Sequence, residues 1–213
     1  MEQSYLTPFV AIDLSAAFDT VHHKLLLNVL KNCFGVCDKA YQWISSYLSD
    51  RSFCVDVNGH KSSPVNIDFS VPQGSINGPV YFTCYSSTLG ASVDPEFELV
   101  GYADDHSIYG KYKAGDLNQE NDVMKKLRDT LGTTKRWMVQ NRLKMNENKT
   151  EFVMFGSRRL LDRCSVSNIT VGDSTVLRSL VIRFLGVQLD EHLYFKQHIS
   201  PANLDQPLWR CST

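Results

Sequence analysis

Two adjacent aspartates set between short runs rich in β-forming residues constrain most strongly what this chain can fold into. Asp104 and Asp105 follow the stretch 97–100 and precede Ile108 and Tyr109. This pattern predicts a tight hairpin with both acids at its tip. Paired acids on a rigid turn suit a divalent metal ion. Aspartates in turns are also common without such a function, because their side chains bond to nearby backbone and tolerate turn dihedrals.

Composition bounds the class of protein but names no partner. The chain has 213 residues, of which 43% are hydrophobic and 21% charged, and its formal net charge is -1. These values are typical of a folded globular protein and indicate no overall attraction to nucleic acid. The six cysteines form no CxxC pair, so we expect reduced thiols in an intracellular protein of the cytoplasm or nucleus. The residues before Asp13 resemble neither a signal peptide nor a membrane span.

A second acid follows a predicted strand near the start of the chain. Residues 9–12 form a continuous apolar run that ends at Asp13, a pattern that predicts a buried strand carrying an acid at its end. We expect a helix to follow, capped by Ser15 and stopped by Gly35. Asp38 is predicted to begin the next helix.

The remaining pattern alternates irregularly between strands and helices. Asn58-Gly59 predicts a two-residue hairpin turn, Gly78-Pro79 the start of a helix, and residues 118–139 the longest helix. Further strands are expected at 151–155, 167–171 and 182–189. Because there is no regular βαβα order, we predict an α+β fold, with an antiparallel sheet and helices packed on one of its faces.

Asp13 and the Asp104-Asp105 pair are candidates for one shared site. Asp13 lies at a predicted strand end and the pair at a predicted hairpin, so all three carboxylates are expected at one edge of the sheet. Mg²⁺ favours carboxylate oxygens together with substrate phosphates. Two such ions about 4 Å apart can clamp the attacking and leaving oxygens of a phosphoryl displacement. Crowded carboxylates without a cation would raise one another's pKa.

Five blocks of sequence follow one another along the chain: Ala11–Asp19, Val71–Ser75, Tyr102–Asp105, Leu143–Glu151 and Phe184–Asp190. In order and spacing they resemble the palm of reverse transcriptases from LINE-like, non-LTR retrotransposons. The resemblance extends over roughly residues 8 to 198 and implies a polymerase palm-like sheet. It implies that residues 1–198 are a partial reverse transcriptase domain and residues 199–213 an irregular tail.

The resemblance assigns a catalytic role to four residues. Asp13 and Asp104 match the principal metal ligands, and Asp105 matches the second acid of the polymerase motif. The implied cofactor is Mg²⁺, as two ions, with Mn²⁺ as the alternative. Lys149 matches the lysine that protonates departing pyrophosphate, although a solvated loop lysine also explains it.

Other matched residues are expected to contact the substrates. Phe18 matches the aromatic gate that excludes a ribose 2′-hydroxyl, although a helix core residue is equally consistent with its spacing. Gln73 and Gly74 match the loop near the incoming nucleotide and template, but would otherwise be an ordinary turn. Phe184, Leu185 and Gly186 match the primer-grip hairpin, and a place in the strand core is compatible with that role.

The implied function is RNA-directed DNA polymerase, with an RNA template, a DNA primer and dNTPs as partners and no membrane. Only twelve residues precede Asp13, so we expect the fingers and most of the thumb of such enzymes to be missing, and activity to be weak in consequence. One alternative is a catalytically inactive remnant that binds nucleic acid or protein. Another is a different two-metal phosphotransferase or nuclease. The oligomeric state is not indicated.

Overall fold

A computed structural model describes residues 4–72 and 74–199. The strands, in chain order, are β1 (Tyr5–Ile12), β2 (Leu14–Ser15), β3 (Ser52–Phe53), β4 (Asp56–Val57), β5 (His60–Lys61), β6 (Val65–Asn66), β7 (Glu98–Tyr102), β8 (Asp105–Tyr109), β9 (Tyr112–Lys113), β10 (Lys144–Met145), β11 (Glu151–Phe155), β12 (Asn168–Val171), β13 (Ser174–Ser179), β14 (Val181–Phe184) and β15 (Val187–Asp190).

Helices occupy much of the remaining described chain. They are α1 (His23–Phe34), α2 (Asp38–Leu48), α3 (Gly78–Ser86), α4 (Leu117–Gln140), α5 (Arg158–Leu161) and α6 (Lys196–Ile199), with 3-10 turns at Phe18–Thr20 and Ser87–Ser92. No helix within residues 4–72 and 74–199 is both long enough and apolar enough to cross a membrane.

The chain divides into two compact units. The first, here the sheet unit, comprises Met1–Leu14, Ala91–Arg136 and Met145–Thr213. The second, here the helical unit, comprises Ser15–Gly90 and Trp137–Lys144. The predicted boundary between a domain ending at residue 198 and an irregular tail stays a prediction, because residues 200–213 lie outside the described residues.

The sheet unit is built on a central strand, β1. Its sheet runs in the order β12-β13-β11-β1-β8-β7, and β9 pairs with the beginning of β1. The neighbours of β1 are antiparallel to it, whereas β11 and β13 run parallel. Leu6, Val10 and Ile12 of β1 are fully buried or nearly so, as expected for a strand with neighbours on both sides. The predicted α+β class with a mainly antiparallel sheet is confirmed.

Side chains from several strands and from α4 fill the core of the sheet unit. Phe9 meets Phe155 and Phe184 edge-on, with ring centroids 5.5 and 5.4 Å apart. The predicted apolar side of α4, with Val123, Leu127 and Leu131, is buried. These contacts fix the sheet whose edge carries the candidate acids.

A buried carboxylate lies near the N-terminal end of α4. Glu120 is only 3% exposed. The hydroxyl of Tyr112 donates a hydrogen bond to one Glu120 oxygen at 2.8 Å. The Ser165 amide, at 3.2 Å, and the Ser165 hydroxyl donate to the other oxygen. This network ties β9, α4 and the segment after α5 together, and burial is the main reason that the pKa of Tyr112 is raised far above its ordinary value.

The helical unit confirms several local predictions and corrects one. The hairpin β4–β5 turns at Asn58 and Gly59, with φ of 53° and 83°. Gly35 ends α1 in the left-handed conformation, with φ of 65°. The predicted helix start at Ser15 is wrong, since α1 begins at His23. Only a 3-10 turn forms at Phe18–Thr20, and His22 is extended in an isolated antiparallel bridge with Phe69, which separates that turn from α1.

Candidate active site

Asp13, Asp105 and Lys149 line one pocket of the sheet unit. Ile12 pairs with His106 on β8, and Ala11 pairs with Glu151 on β11. Asp13 directly follows Ile12 and Asp105 directly precedes His106, so these two acids lie at the same end of the β1–β8 pair. Lys149 lies in the turn that precedes β11. The three charged groups therefore come from three neighbouring chain segments.

Asp104 lies in the turn next to Asp105. Tyr102 pairs with Asp105 across the β7–β8 hairpin, so that Ala103 and Asp104 are its two central residues. Ala103 has φ of 54°, the left-handed conformation that such short turns require. The predicted hairpin is confirmed, with Asp104 in the turn and Asp105 as the first residue of the return strand.

The carboxylates are close enough to influence one another. The pKa of the Asp105 carboxyl is raised, first by partial desolvation and then by repulsion from Asp104 and Asp13. His106 opposes this shift weakly. The charge of Asp105 is thus poorly compensated by the protein itself, and a cation in its vicinity would relieve the repulsion.

A pocket of about 190 Å³ opens beside these acids. Its charged lining consists of Asp13, Asp105, Glu151, Lys149 and Arg183. Burial raises the pKa of Glu151, whereas a hydrogen bond from the Arg183 amide at 3.3 Å opposes that rise. The pocket thus combines three acids with two cations, a mixture suited to binding an anionic substrate together with a cation.

The backbone holds Lys149 in a turn that is attached to the end of β1. The Asn146 amide donates to the Asp13 carbonyl at 2.8 Å. The Lys149 amide donates to the Asn146 carbonyl at 3.1 Å, and both the amide and the hydroxyl of Thr150 donate to it at 2.9 Å. Asn146 therefore couples the position of Lys149 to that of Asp13.

His106 supports the acid hairpin from inside the sheet. Its ring is 4% exposed, and its Nδ1–H donates to the Asp104 carbonyl at 3.0 Å. Burial lowers the pKa of His106, and the hydrogen bond to Asp104 partly offsets this. A Cβ atom on Gly101 would lie 3.2 Å from the ring, so the absence of a side chain there gives His106 its space.

The predicted primer-grip residues occupy a second hairpin in the sheet unit. Phe184 pairs with Val187, so that Leu185 and Gly186 form the two-residue turn, with φ of 49° and 80°. Phe184 lines the acid pocket and packs on Phe9. Leu185 is 46% exposed. Phe184 thus both packs in the core of the sheet unit, as expected, and lies beside the acid pocket.

The gate candidate Phe18 and the loop candidate Gly74 lie in the helical unit, whereas the acids lie in the sheet unit. The Phe18 carbonyl accepts a hydrogen bond from the Val71 amide at 3.0 Å, and its ring lies 4.7 Å from that of Phe82. Gly74 is an exposed turn residue with φ of 77°, a conformation that favours glycine. Gln73 lies outside the described residues.

The donor set suits a hard divalent cation, but a complete cage is not formed. All candidate ligands are carboxylates, the groups that Mg²⁺ and Mn²⁺ prefer. No group of three or more His, Cys, Asp or Glu side chains lies close enough to hold a metal ion within the part of the chain that the structure describes. Mg²⁺ normally completes its coordination shell with water and substrate phosphates, so these carboxylates suit Mg²⁺ even where fewer than three of them contact one ion.

Comparison with known families matches residues 1–189 to the reverse transcriptase (RNA-dependent DNA polymerase) family. The chain belongs to this family. It is 29% identical over 195 residues to the RNA-directed DNA polymerase from mobile element jockey of Drosophila melanogaster, covering 89% of this chain and 20% of the relative. It is 30% identical over 196 residues to the probable RNA-directed DNA polymerase from transposon BS of the same organism, covering 89% and 21%.

These relatives come from non-LTR elements, so the predicted resemblance of this reverse transcriptase domain is confirmed. The chain spans about a fifth of the length of the relatives it matches. A solved telomerase from Candida tropicalis, in complex with a fragment of telomeric RNA, superposes with a TM-score of 0.62 at 13% identity. The superposition covers 89% of this chain and 29% of the telomerase, and at this identity it supports the fold alone.

Three residues of this reverse transcriptase domain's pocket region were not predicted as site residues. Glu151 follows Lys149 by two positions, and alternation along a strand would have indicated a shared face. Asn146 acts through its backbone, which no side-chain pattern reveals. Arg183 reaches the pocket because β14 lies against β11, a contact that local sequence does not encode.

Proposed function

We propose that this chain is the palm portion of an RNA-directed DNA polymerase that adds dNTPs to a primer 3′-hydroxyl on an RNA template. The observation that carries the proposal is the pocket that Asp13, Asp105 and Lys149 line together, with Asp104 in the adjoining turn. Family membership supplies the reaction class. Such an enzyme acts in the cytoplasm or nucleus, where its nucleic acids are.

Each proposed role follows from charge and position. Asp13, Asp104 and Asp105 hold two divalent ions, Mg²⁺ or Mn²⁺. Bound ions of this kind neutralise charge on the attacking and leaving oxygens of an in-line displacement. Lys149 donates a proton to the departing pyrophosphate. Its backbone attachment through Asn146 supports this role, because it fixes the lysine relative to Asp13.

The remaining predicted residues recognise the substrates. Phe18 excludes a ribose 2′-hydroxyl, and Gln73 with Gly74 approaches the incoming nucleotide and template. Phe184, Leu185 and Gly186 hold the primer end. The exposure of Leu185 at the hairpin turn supports this last role, because its side chain is free to touch a ligand.

A non-catalytic nucleic-acid or protein-binding module is the competing function. It is favoured by the lack of any group of three candidate metal ligands among residues 4–72 and 74–199. Metal binding separates the two proposals before any activity is measured. We expect Mn²⁺ titrated calorimetrically to bind the wild-type chain, to bind Asp105→Asn more weakly, and to bind Asp129→Asn like wild type. Asp129 is an exposed aspartate of α4 and serves as the matched charge control.

Primer extension tests the reaction itself. With Mg²⁺, an RNA template and a DNA primer, we expect dNTP incorporation that Asp104→Ala abolishes and Asp129→Asn retains. Flanking polymerase segments from a full-length relative are added in a parallel reaction, because positioning supplies much of the catalysis of phosphoryl transfer. Folded protein that binds no Mn²⁺ and extends no primer in either reaction would overturn the polymerase proposal in favour of the binding module.

A further inference from the structure

A row of four residues follows one side of α2 in the helical unit. Lys39, Trp43, Tyr47 and Arg51 are spaced four apart, and in a helix that spacing places side chains one above another. We call these four residues the stacking row. α2 ends at Leu48, but Arg51 continues the row because its Nε–H donates to the Tyr47 carbonyl at 2.8 Å.

The two aromatic rings of the stacking row form an ordered platform. The rings of Trp43 and Tyr47 are 5.7 Å apart and inclined by only 10°. The Arg51 guanidinium lies over the Tyr47 ring, 4.5 Å from its centroid. Tyr81 of α3 packs against Tyr47 at 6.1 Å. Tyr47 is therefore held on several sides, so that the platform is preorganised.

Trp43 is the open end of this platform. Its side chain is 56% exposed although its ring is aligned with Tyr47. An exposed, oriented indole offers a flat face of the kind on which nucleic-acid bases stack. Lys39 lies one helical turn before Trp43 and is exposed, and Arg51 lies at the opposite end. Cations thus flank an aromatic platform, as a phosphate-linked chain of bases requires.

We propose that the stacking row binds single-stranded nucleic acid, with an unpaired base stacked on Trp43 and the neighbouring phosphates near Lys39 and Arg51. The proposal rests on the proposed function only in taking nucleic acid as the partner. A duplex does not fit, because its bases already stack on one another and expose no face. A single-stranded template overhang and a displaced single strand both offer unpaired bases linked by phosphates, whether they are RNA or DNA.

Charge near the row makes stacking the dominant contribution. Asp38 and Asp50 directly precede Lys39 and Arg51 in sequence, so the local electrostatic attraction is small. Two phosphate contacts would give a salt slope of about -1.4, at about -0.7 per contact for single strands. Binding by the row is therefore expected to survive moderate salt, unlike binding that depends on a basic patch.

The test is fluorescence anisotropy with short labelled oligo-rU and oligo-dT, and with a duplex of matched length, all in EDTA without dNTPs. We expect the full chain to bind both single strands, and the duplex more weakly. Trp43→Leu should weaken single-strand binding roughly fivefold or more, given the contribution of one stacked base. Trp43→Phe should retain part of the affinity, and Lys39→Gln should flatten the salt dependence.

Tyr41→Leu is the matched control, since Tyr41 lies on α2 outside the row. Equal effects of Tyr41→Leu and Trp43→Leu, or affinity within twofold of wild type for Trp43→Leu, would overturn the proposal. So would a change in chain self-association, rather than in oligonucleotide binding, on replacing Trp43. Because the assay contains EDTA and no dNTPs, the outcome of primer extension does not affect it, so failure of the polymerase function and failure of the stacking row are distinguishable. The charge control Asp129→Asn should bind single strands like wild type.

Discussion

Replacing Tyr112 with phenylalanine tests mainly one hydrogen bond to a buried carboxylate, because the other partners of its hydroxyl are weakly bonding sulfur atoms, Cys164 Sγ at 3.5 Å and Met154 Sδ at 4.0 Å. The substitution keeps the ring and removes the hydroxyl that donates to Glu120 at 2.8 Å. The Glu120 oxygen that accepted this bond is then left in a site that is only 3% exposed. The other Glu120 oxygen keeps both hydrogen bonds from Ser165.

The expected loss follows from the kind of bond that is removed. A hydrogen bond to a charged group contributes about 1.5–3 kcal/mol, and a buried acceptor left unpaired adds a desolvation cost. Because the ring is retained, no large cavity forms. We therefore expect Tyr112→Phe to lower the free energy of unfolding by about 2–3 kcal/mol. For a domain of this size that corresponds to a fall in Tm of about 4–12 °C.

Urea unfolding followed by circular dichroism measures this loss. Tyr109→Phe is the matched control, because Tyr109 is half-buried, stacks on Phe9 at 6.1 Å and has no hydroxyl hydrogen bond among the described residues. We expect Tyr109→Phe to change the unfolding free energy by less than about 0.5 kcal/mol. Equal losses in the two variants would refute the assignment of a stabilising bond to Tyr112 and Glu120.

Three further substitutions test other parts of the sheet unit by the same measurement, and Gly90→Ala in the helical unit is a control for one of them. The pKa of Asp105 is raised in the folded protein, so its ionised form opposes folding. Asp105→Asn, measured in EDTA, should therefore stabilise the protein at pH 7. This gain in stability should vanish as the pH falls below the ordinary aspartate pKa, where Asp105 is protonated in both states. A gain independent of pH would exclude repulsion as its cause. Gly101→Ala should lower the free energy of unfolding by about 1–3 kcal/mol. The new Cβ would lie 3.2 Å from the His106 ring, which cannot move aside because it is buried and bonded to the Asp104 carbonyl. Gly90→Ala, with open space around it, should change little, and equal effects would contradict the packing argument. Gly172→Ala should lower the free energy of unfolding by about 1–2 kcal/mol, because φ of residue 172 is 61°. The new Cβ would also displace Lys135 from its 2.5 Å ion pair with Glu147. An unchanged urea midpoint would show that the turn relaxes.

Sequence patterns predicted the elements that depend on nearby residues. The apolar run before Asp13 became β1, and the predicted strand 151–155 became β11 with the same bounds. The Asn58-Gly59 turn formed as expected because both residues tolerate positive φ. In each case, local chain chemistry and final environment favour the same conformation.

The failures concern residues whose conformation is decided at a distance. The start of α1 moved to His23 because His22 pairs with Phe69, far along the chain. Strand β13 was not predicted, and its position depends on a parallel pairing with β11. Arg183 reached the pocket for the same kind of reason. The sequence indicated where the candidate acids lie, at the end of β1 and in the β7–β8 hairpin, but it did not indicate which residues of distant strands line the same pocket.

The central position of β1 has a consequence for how this domain tolerates change. Asp13 follows the last residue of β1, and it shares a pocket with Asp105 and Lys149 only while β1 keeps its alignment with β8 and β11. Insertion or deletion of a single residue within β1 would turn every later side chain to the opposite face, burying the acid and exposing Ile12. Loops of the domain can lengthen over evolution, whereas this strand can change only by substitution. Recombination between related elements would keep Asp13 beside Asp105 only where the crossover leaves the length of β1 unchanged.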